Sequence, residues 1–447
     1  MLAFRPTWGI TGYVRGGAGS SQFNKYSLAG YYNGHTVTRP ENLSLTDLRW
    51  EKTQKINLGF NLGLLDVLLN FELDIYDHKT TDLMMNNKRI AAVNGFGSLE
   101  KVNAGRMRNQ GWDLNFSTGW FAKVGKFQMK LRGNVAQNFN EVEEMDALIL
   151  EGLNPDKTTQ PDAGWDNLRF VNPTKALGSI YGLRYLGVYE YDYDHNGYTT
   201  TSRNTYGNNT AAANGGTCPI AYDAAGNIIT DQEGNPLPMY YRYEDTKYQF
   251  QGGDAIYEDI NHDGQIDRYD VVYLGNSNPK CYGGFGFTLK FERFQLNTGF
   301  NFRIGNQIVN SARQDYESMK GNTNQSYATT YRWRKNGDGV GTDQILPRAM
   351  NSTFFTSYNS LPSDRYVEDG YYLRLQYIQI SYDIDPKLLK KWGIRSLKVF
   401  GSINNLWCWT KYTGVDPDIS PGYLGIARDT QKTPRTRYFT ASINLGF

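Results

Sequence analysis

The chain has 447 residues, 47 Lys and Arg against 45 Asp and Glu, and an aromatic share of 14% that comprises 33 Tyr, 22 Phe and 9 Trp. A net charge of +2 lacks the basic footprint of a nucleic-acid binder, and no run nears the ~18 apolar residues that a membrane-crossing helix needs. A β-barrel is not excluded, because strands that alternate apolar and polar residues average to a hydrophilic composition.

The opening Met1-Leu2-Ala3-Phe4-Arg5 lacks the regions of a signal peptide, so an export address is expected on another piece. Cys218, Cys281 and Cys408 are too few for a disulfide scaffold.

Two-residue alternation, which gives each strand face its own residue set, runs through the chain. Strands are expected at 3–14 and 48–64, where Ile56, Leu58, Phe60, Leu62 and Leu64 oppose Asn57, Gly59, Asn61 and Gly63. The next, 67–87, sets Leu69, Phe71, Leu73 and Ile75 against Asn70, Glu72 and Asp74; 106–121 and 127–140 follow, joined by the short Lys123–Lys126 connection. Further strands are read at 178–190, at 282–292 and at 294–309, the last two turning at Glu292-Arg293. Within 366–384 the alternation changes phase, from Leu373, Leu375 and Tyr377 to Ile378, Ile380, Tyr382 and Ile384, which predicts a β-bulge. One helical turn at 385–392 leads to strands 395–410 and 435–447, the latter carrying Phe439, Ala441, Ile443, Leu445 and Phe447 on one face.

Long polar stretches separate the strand pairs: 88–104, 141–177, 191–281, 310–365 and 411–435. A soluble β-sandwich alternates in the same way, but it has no reason to segregate tight turns from very long loops. The expected fold is therefore all-β: part of an antiparallel transmembrane β-barrel, about 11–12 strands of a ~22-stranded barrel, with long extracellular loops and short periplasmic turns. Alternating directions set 178–190 parallel to 282–292. Either a twelfth strand lies between Tyr191 and Lys280, with Met239–Phe250 as candidate, or 178–190 does not span.

One motif carries metal chemistry. Asp259, Asn261, Asp263, Gly264, Gln265, Asp267 and Asp270 follow the order of a calcium loop, with oxygen donors at positions 1, 3, 5, 7, 9 and 12 and the turn glycine at 6. Position 12 is Asp rather than Glu, so its reach is short. Without flanking helices it reads as a structural calcium clip, against a plain Asp/Asn/Gly turn. A weaker copy, Asp192 to Gly197, reads as a turn. None of His35, His78, His195 and His262 belongs to a zinc-protease motif and no nucleophile elbow occurs, so an enzyme is not expected. Trp165, Tyr240, Tyr241, Tyr248, Tyr257, Trp333 and Tyr358 either stack on ligands or pack the long stretches onto one another.

Several separated runs resemble a known family. Leu48-Arg49-Trp50-Glu51-Lys52-Thr53 before Ile56-Asn57-Leu58-Gly59 is similar to TonB-dependent receptor barrels. Asp259 to Asp270 with Tyr273-Leu274-Gly275-Asn276-Ser277-Asn278-Pro279-Lys280, and Tyr366-Val367-Glu368-Asp369-Gly370-Tyr371-Tyr372-Leu373-Arg374-Leu375, resemble the SusC/RagA group. So does Asn404-Asn405-Leu406. The resemblance implies that residues 1–447 are the C-terminal part of the barrel, without the plug domain, in the outer membrane of a Gram-negative bacterium. It also implies import of bulky nutrients, oligosaccharides or peptides. The implied partners are the remaining barrel strands and plug, a SusD-like lipoprotein, TonB through the plug segment, outer-membrane lipid and the glycan or peptide substrate. Phe439, Ile443, Leu445 and Phe447 are similar to the signal that directs barrels into the membrane. A passive or adhesin-like barrel that binds ligand through its loops is the alternative reading.

Overall fold

The computed structural model describes residues 2–14, 21–66, 68–91, 93, 95–153, 171–188, 221–234, 237, 239–243, 246–250, 253–319, 324–334, 338, 346–350, 358–422 and 425–447. Ten long strands carry the fold. They are β1 (Leu2–Tyr13), β2 (Glu51–Leu64), β3 (Leu69–Thr81), β4 (Gly105–Thr118), β5 (Phe127–Met145), β6 (Cys281–Phe291), β7 (Phe294–Ile304), β8 (Tyr372–Asp383), β9 (Ser396–Thr410) and β10 (Tyr438–Gly446). Each pairs antiparallel with its neighbours in chain order, and the short strand Phe121–Val124, hydrogen-bonded to β5, brings the sheet to eleven.

The alternation read from the sequence becomes two rows of opposite character. One row runs across the strands as Leu62, Phe71, Phe116, Gly133, Phe285, Phe300, Leu375 and Trp407. The adjacent row runs Asn61, Glu72, Asn115, Asn134, Gly284, Asn301, Arg374 and Cys408. Eight strands thus hold one register, because a slip of one residue would exchange the faces. Ile56, Leu64, Phe285, Ile304, Trp407 and Ile443 are exposed on the apolar face, as expected of a surface that lipid covers. A cavity of about 920 Å³ lies against the polar face, lined from β2 to β8 by Asn61, Glu72, Asn115, Arg132, Asn301 and Tyr377 among others. Side chains also meet across this face, Arg132 of β5 donating to the Tyr377 hydroxyl of β8 three strands away, so it is the concave one.

The expected phase change is a β-bulge. Pairing shifts between Leu375 and Tyr377, so Gln376 is the inserted residue that turns Ile378 and Ile380 back to the apolar side. The helical turn is also present, as Pro386–Leu389 and the 3-10 segment Lys390–Trp392. Asp385 caps it by accepting from the Lys387 amide at 2.9 Å.

The two ends of the sheet differ. At one rim the connections are 65–68, 119–126, 292–293 and 384–395; at the other they are 14–50, 82–104, 146–280, 305–371 and 411–437. Short turns and long loops are segregated as expected.

One expected strand is placed differently. Of the expected strand 178–190, the described residues 178–188 do not join the sheet: Ser179–Gly182 pairs with Val272–Asn276, and Tyr185–Val188 with Ala255–Tyr257. The reason is length and burial, since Ser179–Gly182 is four residues long and buried throughout, whereas a crossing strand needs about 9–11 residues with one face in lipid. The candidate twelfth strand is not one either. Tyr240–Tyr243 pairs antiparallel with Thr246–Gln249, and its Tyr240 and Tyr241 pair in parallel with Gln265–Ile266, apart from the main sheet. With both removed, β5 and β6 are adjacent and antiparallel along ten residue pairs, and the conflict in direction disappears.

Substituting Leu114→Arg on the apolar face is expected to destabilise the full-length protein in lipid vesicles by about 2–4 kcal/mol. Asn115→Arg, one residue on and facing the cavity, is expected to cost about 0.5 kcal/mol. Denaturant midpoints of the two variants check this difference.

Candidate functional site

The long connections build a water-facing body with its own core. Leu183, Tyr241, Phe250, Ala255, Tyr257, Ile266, Met350, Tyr358 and Leu361 pack together although they come from four separate stretches of chain. Tyr358 is the hub: its ring lies 4.8 Å from Tyr241, 5.1 Å from Phe250 and 5.5 Å from Tyr257. Two buried hydroxyls bind backbone, Tyr257 donating to the Tyr358 carbonyl at 3.0 Å and Tyr358 to the Ala255 carbonyl at 2.9 Å. Of the aromatic residues noted in the sequence, Tyr241, Tyr257, Trp333 and Tyr358 are buried here and pack loop on loop. Trp165 and the weaker loop copy at 192–197 lie outside the described residues.

Ion pairs that no sequence signal announces fasten these loops. Arg365 meets Glu317 at 2.8 Å with both side chains nearly fully buried. Arg313 reaches Glu317 at 2.9 Å and Glu368 at 3.3 Å, and Arg348 holds the fully buried Asp254 at 2.7 Å. Breaking such a pair strands a charge in a dry site, at a cost of about 3–5 kcal/mol. The fully buried Tyr366 beside them has its pKa pushed up to about 12 by desolvation.

The Asp259–Asp270 loop sits in this body with Ile266 in the core. Gly264 has φ +78°, and a Cβ there would stand 2.6 Å from the Ala221 Cβ, so glycine is required. The acidic side chains form a ladder of turns. Asp259 accepts from the amides of Asp263 (3.3 Å) and Gly264 (2.8 Å), Asp263 from Gln265 (2.8 Å), and Asp267 from Tyr269 (2.7 Å). Asn261 donates to Asp263 at 3.0 Å.

Asp270 closes the loop. Its two oxygens accept from the Ile260 and Asp267 amides at 2.8 and 2.7 Å. A side chain one methylene shorter than Glu thus ties the first and last thirds of the loop together through backbone groups.

These carboxylates form no ion pair with a basic side chain among the described residues. Desolvation raises the pKa of Asp270 to about 7, helped by Asp259 and Asp267, and it also raises that of Asp259. Uncompensated negative charge and a dense oxygen set fit a hard cation. The side chains do not yet converge: among the described residues no three acidic, His or Cys side chains stand together so as to hold a metal ion.

An acid whose folded pKa lies above its unfolded value of 3.8 contributes less stability as pH rises through that window. The loop is therefore expected to lose stability from about pH 4 to pH 7, seen as faster corrected amide exchange in 259–270, and Asp270→Asn should flatten this trend. Asp270→Ala leaves two buried amides without acceptors and should cost about 1–3 kcal/mol locally, with exchange in β5 and β6 unchanged.

An eleven-stranded antiparallel sheet with an apolar convex face, a polar concave face and loops segregated by length is that of a transmembrane β-barrel, of which this chain forms a portion. The comparisons narrow the class. No family model matches the chain. It is 26% identical to "TonB-dependent receptor P39" of Formosa agariphila over 456 aligned residues, covering 100% of the chain and 40% of that protein. It is 22% identical to "TonB-dependent receptor SusC" of Bacteroides thetaiotaomicron, over 100% of the chain and 37% of that protein. The solved structure of the RagAB peptide transporter superposes with a TM-score of 0.64 at 19% identity, over 100% of the chain and 41% of its own. The resemblance read from the motifs is thus borne out: along its whole length the chain is similar to proteins named TonB-dependent receptors, SusC among them, and shares the fold of part of the RagAB transporter. It spans about two fifths of the length of the relatives it matches. Those relatives are named as receptors and a peptide transporter, not as enzymes.

Proposed function

We propose that this chain is the C-terminal part of the barrel of an outer-membrane transporter that imports bulky nutrients, oligosaccharides or peptides, driven through TonB. The observation that carries the proposal is the joint placement of five long loops on one rim above a polar concave wall with a cavity of about 920 Å³. Loops packed into a body with its own core can present a shaped surface to ligand, and the wall offers amides and charges along a passage. The RagAB structure, a peptide transporter of the same fold, supports the peptide class, and the TonB-dependent receptors among the relatives support the energised import. A plug filling the cavity, further strands completing the barrel and a SusD-like lipoprotein over the loops complete the assembly we propose. Phe439, Ile443, Leu445 and Phe447, exposed on the last strand and at its end, would serve as the insertion signal.

We further propose that calcium occupies the Asp259–Asp270 loop as a structural clip. Asp259, Asn261, Asp263, the Gln265 carbonyl and Asp267 would hold it, while Asp270 fastens the loop ends. Its role would be to neutralise the acidic cluster and fix the loop body, and no transport step passes through it.

Cells carrying the intact protein should accumulate a fluorescent oligosaccharide or peptide mixture, and collapse of the proton-motive force should abolish this uptake. Equal uptake by the energised, uncoupled and deletion strains would overturn the proposal.

A further inference from the structure

The apolar face of the sheet carries a dent that transport does not use. Near the loop-side ends of β6, β7, β8 and β9 lies a cavity of about 610 Å³ whose walls include Phe285, Phe302, Ile304, Leu373 and Trp409, with Lys411 at its margin. Its depth has a structural cause. Gly283 stands between Val135 and Phe302 in the outward row and contributes no side chain. Below it Phe285 and Phe300 stack flat, 4.9 Å apart and 9° from parallel, and make a wall. The bulge after Leu375 adds local twist just below Leu373.

Charge is placed at one end only. Arg303 also borders the cavity, but its guanidinium is turned to Asp418 at 3.4 Å. The exposed Lys411 follows the last residue of β9, and among the described residues it forms no ion pair. An indole at Trp409, 49% exposed, beside an unpaired ammonium marks the level where hydrocarbon gives way to headgroups. Four strands at about 4.8 Å spacing make the dent about 14 Å wide, more than two hydrocarbon chains need side by side at about 4 Å contact distances.

We propose that this dent is a binding site for the phosphorylated, multiply acylated glycolipid of the outer leaflet, lipid A. Its acyl chains lie over Phe285, Phe302, Ile304 and Leu373, and one of its phosphates meets Lys411. The proposal rests on the reading that the sheet lies in an outer membrane with its loops outside.

The test uses the intact protein, extracted from outer membranes in mild detergent and analysed by native mass spectrometry with purified lipid A, its dephosphorylated form and phosphatidylglycerol as probes. Wild type should retain lipid A in preference to both other probes. Filling the dent with Ile304→Trp and Leu373→Trp should lower retention about tenfold, equivalent to about 1.4 kcal/mol. Lys411→Glu, beyond the strand end, should abolish the preference for the phosphorylated form while leaving the heat-modifiable gel mobility of a folded barrel intact. Equal retention by wild type and Lys411→Glu, or phosphatidylglycerol held as tightly as lipid A, would overturn the site. Absence of the protein from the outer-membrane fraction would instead overturn the reading beneath it.

Discussion

A backbone that crosses hydrocarbon can leave no amide or carbonyl unpaired, and everything else in this chain follows from how that demand is met. Antiparallel pairing between chain neighbours satisfies the interior strands, β2 to β9, over 9 to 13 residue pairs at each join. Once the ladder is fixed, side-chain chemistry is free to differ between faces. Phe, Leu and Trp rows meet lipid while Asn, Glu and Arg rows meet the cavity. The strands at the two ends, β1 and β10, each have one neighbour in the sheet. Pairing of those edges with further strands is part of the assembly proposed above.

The hydrophobic effect then acts in a second place. The fully buried side chains lie mainly in the long connections, among them Tyr257, Tyr358, Phe250, Ile266 and Leu361. Water surrounds these loops, so they need a core of the soluble kind, and buried pairs such as Arg365 with Glu317 set how the stretches fit together. The protein is thus two constructions sharing one chain: a sheet with its apolar face outward and a loop body with its apolar residues inward. The Asp259–Asp270 loop belongs to the second, where Asp270 fastens backbone to backbone.

What could be read from residues follows this division. The sheet was legible because its periodicity is local. Ile56 to Leu64 or Phe294 to Ile304 announces two faces without knowledge of any partner, and the phase change near Leu375 announces the bulge. The strand at 178–190 misled because Ile180 and its neighbours alternate well enough, while the burial of Ile180 with Val309 and Ile426, more than 100 positions away, cannot be seen locally. The same holds for Glu317 with Arg365 and for Asp254 with Arg348, whose partners lie far apart in sequence. The calcium-type spacing was visible, and so was the short reach of Asp at its last position. That Asp270 would turn to the Ile260 and Asp267 amides depended on the fold of the whole loop body.

Sidedness is the claim on which membrane, loops and cavity all depend, and cysteine labelling in intact cells tests it most directly. In full-length protein with Cys218, Cys281 and Cys408 replaced, a single cysteine would be placed either at Ala225, in a long connection, or at Lys391, in the turn between β8 and β9; both positions are exposed. A membrane-impermeant maleimide should label Ala225→Cys on intact cells and Lys391→Cys only after the outer membrane is permeabilised. Labelling of Lys391→Cys on intact cells to the same extent as Ala225→Cys would contradict it.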